Sequence, residues 1–419
     1  MYSKFGVLRG LYNLLTYLTK PALPILAKFN PKLKLFVAGR KQVFSELEKL
    51  DFSKDWAWFH AASLGEFEQA VPIMEAMKNN YPDYRILVSF YSPSGYENKK
   101  EHPLADAIVY LPIDTPKNAK RFVSMVKPKL AFFIKYDIWP NFLKELKENE
   151  IRTFLISGAF RKEQIYFKSY GSLFKESLKV FEHIFLQNES SKKLLKTINI
   201  ENTTVSGDTR FDRVARQLEY NNQLDFVAQF KENKTCIVAG STWPEDDAIL
   251  LDYINTAPEN VKIIIAPHEI KPEKIERLKA QIVKKTVLFS EKKDTEINQF
   301  QVLIMDTIGL LTKVYSYADI AYVGGAAGTS GLHNILEPAT FGIPIIIGKN
   351  FEKFPEASQL QKLAGLFSVA SAEEFKNVTT KLVEDKTFRE KTGMISGHFI
   401  NSNTGATSAV ISYLKKHNS

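Results

Sequence analysis

WAWFHAASLGEFEQAVPIMEAMKNN (residues 56–80) opens on a short apolar run, turns through small residues and continues at helical spacing. WAWFH (56–60) has the length and near-continuous hydrophobicity of a strand buried on both faces. EFEQAVPIMEAMKNN (66–80) reads as the helix that follows it. The alternation continues with RILVSFY (85–91), AIVYL (107–111), LAFFI (130–134), RTFLIS (152–157) and HIFLQ (183–187). Helical stretches such as IWPNFLKELKENE (138–150) and KESLKVFEH (175–183) lie between these strands. A charged stretch without strand signal follows (210–234). The alternation then restarts with CIVAG (236–240), VKIIIAP (261–267), KTVLF (285–289), QVLIM (301–305), DIAYVGG (319–325) and IPIIIG (343–348). This pattern predicts an α/β protein with two doubly wound parallel sheets joined near residues 207–232. The expected divisions are a segment 1–48, a first domain 49–215 and a second domain 216–419, whose last helix packs back on the first. A chain of 419 residues suits two cores. Ligands of open parallel sheets bind beyond the carboxyl ends of the strands, so two such sheets facing each other predict a cleft between domains.

Apolar residues make up 44% and charged residues 25%, ordinary values for a globular protein. A single cysteine, Cys236 in the strand TCIVAG, excludes an internal disulfide framework and fits a reducing compartment. No HExxH or CxxC spacing occurs, and no metal site is predicted. The net charge of +9 is local: residues 1–49 hold nine Lys or Arg against two Glu, which is +7 and leaves +2 for the rest. The same segment is apolar, FGVLRGLYNLLTYLTKPALPILAKF (5–29). Apolar residues with interspersed cations predict an element lying in an anionic membrane surface. Lys20, Pro21 and Pro24 interrupt the run too early for a span, and no small-residue cleavage site follows it. The alternative is a helical hairpin packed on the protein itself. The rest of the chain has no cationic excess that would mark a nucleic-acid groove.

Motifs sit where strands end. Ser63 and Glu66 fit S-x-x-E, a capping box at the start of a helix. Capping does not explain Ala61, Ala62 and Gly65, which clear space beside Glu66, so a catalytic carboxylate is the second reading. GGAAGTSGLHNILEP (324–338) follows DIAYV and opens a helix; its glycines permit close backbone approach and its helix N-terminus suits phosphate. Asn334 and Glu337 are three apart, on one helical face, where a carboxylate could accept ribose hydroxyls. In GSTWPEDD (240–247), Ser241 or Thr242 caps a helix or contacts phosphate. IIIAPHEI (263–270) places His268 after a buried strand, and MDTIGLLTKVYSYAD (305–319) turns through Gly309. SGDTRFDRV (206–214) offers Arg210 to negative charge, or pairs it with Asp208 or Asp212.

HAASLGE, KYDIWPN, SGDTRFD, GSTWPEDD, DTIGLL and GGAAGTSGLHNILEPATFGIPIIIG occur in that order, and the chain resembles the 3-deoxy-D-manno-octulosonic acid (Kdo) transferases of lipid A biosynthesis. The resemblance covers about residues 5–400 and is most specific at SLGE and HNILEP. It implies a metal-independent, inverting glycosyltransferase of the GT-B type, two Rossmann-like domains facing a cleft, with no cofactor. The implied donor is CMP-Kdo. The implied acceptor is the tetra-acylated lipid A precursor, lipid IVA, and the implied place is the cytoplasmic face of the inner membrane. By motif position, Glu66 is the general base, and Arg210 stands where the family has a lysine that stabilises developing charge. Pro267 and His268, Ile308, Gly309 and Leu310, and Asn334, Ile335, Leu336 and Glu337 match three CMP-binding segments. KYDIWPN departs from the family's ETELWPN: Lys135 replaces an acid, and Asp137 is a shortened acid in the supporting position. Two other readings share the two-domain plan: a nucleotide-sugar epimerase or hydrolase, and a non-catalytic membrane-bound nucleotide sensor.

Overall fold

The structure, a computed structural model, describes residues 2–292 and 296–417. It divides into unit 1, Met1–Arg213 with Thr404–Ser419, and unit 2, Val214–Asn403.

Unit 1 contains helices α1 (Tyr2–Leu26) and α2 (Pro31–Leu47), then β1 (Trp56–Ala61), α3 (Leu64–Asn80), β2 (Arg85–Phe90), α4 (Pro93–Lys99), β3 (Ala107–Tyr110) and α5 (Pro116–Val126). It continues with β4 (Leu130–Ile134), α6 (Pro140–Glu148), β5 (Arg152–Gly158), α7 (Ser172–Leu178), β6 (His183–Leu186), α8 (Glu189–Lys196) and β7 (Thr203–Val205). The sheet is parallel, in the order β3-β2-β1-β4-β5-β6-β7. The order reverses between β1 and β4, which makes the crevice above their carboxyl ends the expected ligand position. Strand residues alternate between two cores: Trp58, Leu87 and Phe133 pack with Phe142 on one side, and Phe59, Phe132 and Phe154 with Phe67 of α3 on the other.

The chain leaves unit 1 within α9 (Thr209–Ala215). Unit 2 comprises α10 (Asp225–Lys231), β8 (Thr235–Thr242), α11 (Pro244–Thr256), β9 (Val261–Pro267), α12 (Pro272–Gln281), β10 (Thr286–Leu288), β11 (Val302–Ile304) and α13 (Leu311–Tyr315). Then come β12 (Ile320–Val323), α14 (Leu336–Thr340), β13 (Ile345–Gly348), α15 (Pro355–Lys362), β14 (Leu366–Val369), α16 (Ala372–Glu384) and α17 (Lys386–Ser402). Its parallel sheet runs β10-β11-β9-β8-β12-β13-β14, with the reversal between β8 and β12.

The last helix, α18 (Ala406–Lys416), belongs to unit 1. Asp212 caps it, accepting from Gly405 N at 2.6 Å and from Thr407 N and Oγ1 at 2.8 and 2.9 Å. Val410, Ile411 and Leu414 of α18 enter the same core as Phe59 and Phe67.

Two strands escaped the sequence pattern. β7 and β14 are short, close their sheets at one edge and are only partly buried, so the apolar run that marks the inner strands is missing. The helix expected directly after the glycine-rich loop is also displaced. Residues 324–335 are irregular, and α14 is one turn, Leu336–Thr340. Pro338 favours this start, because it has no N–H to donate and its ring would crowd the carbonyl of residue 334 in a longer helix.

Candidate active site

In unit 1 the candidate side chains Glu66, His60 and Asp137 gather at the reversal between β1 and β4. Ser63 is the N-cap of α3 but makes no capping bond with its side chain. Glu66 instead reaches back past it, and its Oε2 accepts from Ala62 N at 2.6 Å. Its other oxygen takes no hydrogen bond among the described residues, and the side chain is 8% exposed. Burial raises the Glu66 carboxyl above its ordinary value; the nearby Asp137 charge raises it further, against the Ala62 N–H, His60 and Lys135. A Cβ added at Gly65 would meet nothing within 4 Å, so the turn fronts open space.

Asp137, on the loop after β4, belongs to a hydrogen-bonded network that the sequence did not reveal. The β1–β2 register sets His60 opposite Ser89. His60 is fully buried; its Nδ1 lies 2.8 Å from Ser89 Oγ and its Nε2 2.5 Å from Asp137 Oδ2. Ser89 Oγ already accepts the Trp58 indole N–H at 2.8 Å, so its own proton is free for His60 Nδ1. The ring hydrogen on Nε2 then goes to Asp137. With that nitrogen protonated, Trp139 Nε1, 2.9 Å from Asp137 Oδ2, donates to the carboxylate rather than to the ring. Lys135, at the end of β4, is held in the left-handed region (φ 63°), a strained backbone of the kind that clusters at functional sites. Asp137→Asn removes a negative charge that raises Glu66. The acid limb of the kcat–pH profile is therefore expected to move to lower pH, with a several-fold lower maximal rate; an unmoved limb sinks the coupling.

Arg210 lies in the first turn of α9. Its guanidinium is bonded to the buried Asp208, with Nε and Nη2 at 2.9 and 2.8 Å from Oδ2. Asp208 Oδ1 also accepts Gln69 Nε2 at 2.9 Å, and Thr209 Oγ1 donates to the Gln69 carbonyl at 2.7 Å. Gln69 is one turn along α3 from Glu66, so α3 and α9 are tied together below both candidate residues.

In unit 2 the loops after β8, β9 and β12 meet. Asp246, fully buried in the first turn of α11, anchors them. It accepts from Trp243 N at 2.9 Å, Gly325 N at 2.8 Å, Tyr322 Oη at 2.7 Å and, more weakly, Ala327 N at 3.3 Å. The glycine-rich loop needs its glycines: a Cβ at Gly324 would lie 2.3 Å from the Ser241 carbonyl oxygen, and Gly325 has φ 95°. The Trp243 ring stacks on His268 at 4.4 Å, and His268 lies 4.5 Å from His333. Trp243 Nε1 donates to His333 Nε2 at 3.1 Å, and burial followed by the neighbouring His268 lowers the His333 pKa, so His333 is neutral.

Of the three predicted nucleotide segments, Pro267 ends β9 and His268 is exposed beyond it. Ile308 is 87% exposed, Gly309 adopts φ 92°, and Leu310 precedes α13. Asn334 is exposed, and its Nδ2 donates to Glu337 Oε1 at 3.1 Å, while Thr312 Oγ1 donates to Glu337 Oε2 at 2.9 Å. Ile335 and Leu336 are buried, and the exposed parts of this segment are Asn334 and, in part, Glu337. Among the described residues no group of three or more His, Cys, Asp or Glu could hold a metal ion.

Asp247, beside Asp246, is pushed up to about 6 by burial, with Asp246 and Glu245 adding to it. A carboxyl raised on folding binds more protons in the native state, so its contribution to stability is fully present below about pH 4 and is lost as pH rises through 6. Asp247→Asn is expected to stabilise unit 2 by about 1–3 kcal/mol at pH 7 and to flatten this slope, read by thermal melts between pH 4 and 8.

Comparisons with known proteins agree with this architecture. Residues 35–213 match the family described as 3-deoxy-D-manno-octulosonic-acid transferase (kdotransferase). A 3-deoxy-D-manno-octulosonic acid transferase of Chlamydophila psittaci is 29% identical over 71% of this chain and 70% of its own length. One from Aquifex aeolicus is 28% identical over 85% of this chain and 95% of its own length. Among solved structures, UDP-GlcNAc 2-epimerase from Neisseria meningitidis aligns with a TM-score of 0.62 at 14% identity, covering 86% of this chain and 100% of that one. At that identity the likeness concerns the fold alone, and the two parallel-sheet units are of the GT-B type. The chain is thus similar over most of its length to 3-deoxy-D-manno-octulosonic acid transferases, and its residues 35–213 match the family of that description.

Proposed function

We propose that the chain transfers Kdo from CMP-Kdo to an acylated, phosphorylated disaccharide, the lipid A precursor lipid IVA, with inversion and without a metal. The observation that carries this reading is Glu66, a buried carboxylate raised above its ordinary value and held by one backbone N–H at an open turn. Such a group is poised to take the acceptor hydroxyl's proton as the new C–O bond forms at the anomeric carbon. The sugar–phosphate bond breaks in the same step, and CMP leaves with the electron pair as a phosphate monoester. Asp137 supports the base by keeping its proton affinity high. Arg210, positioned by Asp208, offsets charge that develops on the leaving phosphate. Pro267 and His268, the turn Ile308–Leu310 and the segment Asn334–Glu337 hold the nucleotide, with Glu337 the acceptor for ribose hydroxyls.

The membrane surface is part of the proposal. α1 exposes Val7, Leu11, Leu14, Leu15, Leu18, Ile25 and Leu26, with Lys20 and Lys28 nearby. No described helix is long and apolar enough to cross a membrane. An apolar face edged by cations favours lying in an anionic surface, on the cytoplasmic face of the inner membrane where a lipid-linked acceptor resides. Incubation with CMP-Kdo and lipid IVA in the presence of chelator is expected to yield a Kdo-bearing lipid, read by mass spectrometry. Consumption of CMP-Kdo without acceptor, or binding of CMP without turnover, overturns the reading in favour of a hydrolase or a sensor.

A further inference from the structure

Unit 1 contains a cavity of about 380 Å³ lined by α1, α2 and the segment from β3 into α5. Lys20, Arg40, Lys41, Lys117 and Arg121 line it, and no carboxylate does. Arg121 pairs with Glu48 at 2.9 Å, whereas Lys20, Lys41 and Lys117 form no ion pair among the described residues. Arg40 is the unusual member. Its guanidinium is largely buried, donates to the carbonyls of Phe36 and Tyr91 at 3.1 and 2.7 Å, and lies 3.4 Å from the Phe36 ring centroid. Its Nε is buried without a hydrogen-bond partner, and no acid neutralises it. Burial pushes its pKa down to about 10. A buried cation left without a counter-charge is costly, and four more cations around the same cavity raise that cost. An anion in the cavity removes it. The remaining lining is apolar, including Leu23, Phe36, Phe44 and Ile113, which suits the carbon skeleton attached to such an anion.

We propose that this cavity binds the terminal phosphate of a membrane amphiphile, its oxygens ringed by Arg40, Lys41 and Lys117 and its first carbons laid on Phe36 and Phe44. A monoester phosphate carries more charge than a diester and presents three free oxygens, so it matches a cluster of five cations better. The proposal rests on the membrane-surface reading above and adds a defined site to it.

The test uses the full chain and flotation with phosphatidylcholine vesicles doped with phosphatidic acid or phosphatidylglycerol at matched surface charge. A third set carries a phosphorylated acyl-glucosamine, which separates a glycerolipid source from an acceptor-like one. Wild type is expected to bind phosphomonoester vesicles about tenfold more tightly than phosphatidylglycerol vesicles. Lys41→Ala with Lys117→Ala, both exposed, is expected to abolish that preference. Lys32→Ala with Lys34→Ala, also exposed on α2 but outside the cavity, is expected to keep it while weakening all anionic binding alike. Arg40→Gln with retained melting temperature is expected to behave like the cavity pair. A wild type without headgroup preference, or a preference that survives Lys41→Ala with Lys117→Ala, overturns the site. In that case retained binding to all anionic vesicles leaves the membrane reading standing, and loss of all binding removes both.

Discussion

Glu66→Gln is expected to lower kcat for Kdo transfer by about 10²–10⁴-fold while the protein stays folded. The amide is nearly isosteric, and its oxygen can still accept the Ala62 N–H that orders the start of α3. What it loses is the ability to take a proton. Because the native carboxyl is raised by burial, replacing it also removes a charge the site disfavours, so the melting temperature should stay within a few degrees or rise. The measurement pairs single-turnover kinetics with a thermal melt. Full turnover on a folded Glu66→Gln protein rules out the base assignment; equal loss of activity and stability would mean Glu66 acts only as a helix cap.

The second large effect is expected in unit 2. Asp246→Ala leaves Trp243 N, Gly325 N and Tyr322 Oη without their common acceptor in a buried setting. Each orphaned donor costs about 1–3 kcal/mol and neighbours do not add fully, so a loss of about 3–6 kcal/mol is expected. For a unit of this size that is a drop on the order of 10–15 °C in its thermal transition. CMP affinity should fall with it, because the loop at residues 324–327 loses its anchor. Asp246→Asn keeps one acceptor oxygen and should recover part of both. Calorimetric titration of CMP against each variant below its transition separates the effects. Unchanged affinity in Asp246→Ala would show that the loop holds its shape without the carboxylate.

Sequence patterns carried most of the fold because the inner strands are buried on both faces and read as apolar runs. They missed β7 and β14, edge strands with no such demand on their side chains. They also put Asn334 and Glu337 together on one helical face, whereas the helix starts only at Leu336, a start that Pro338 favours. At the site, Glu66 stood out in its S-x-x-E turn, and the resemblance pointed to Asp137 and the three nucleotide segments. His60 was not: within WAWFH it looks like one more strand residue, and its role depends on Ser89 and Asp137, which sheet order alone brings beside it. Asp246 was hidden for a similar reason. One acid among several in GSTWPEDD gives no sign that it is the one turned inward to hold backbone 79 residues away. The stack of Trp243, His268 and His333 joins three loops and has no signature in any one of them.

The return of α18 to the first unit bears on how the polypeptide is made. Val410, Ile411 and Leu414 are synthesised after the entire second unit, yet they join the packing beneath the helix that carries Glu66. The whole of residues 214–403 emerges before them and can reach its native state first. The earlier-synthesised unit waits, unfinished, until residues 406–416 are made, and a chain interrupted ahead of them would carry a sound younger unit and an incomplete older one.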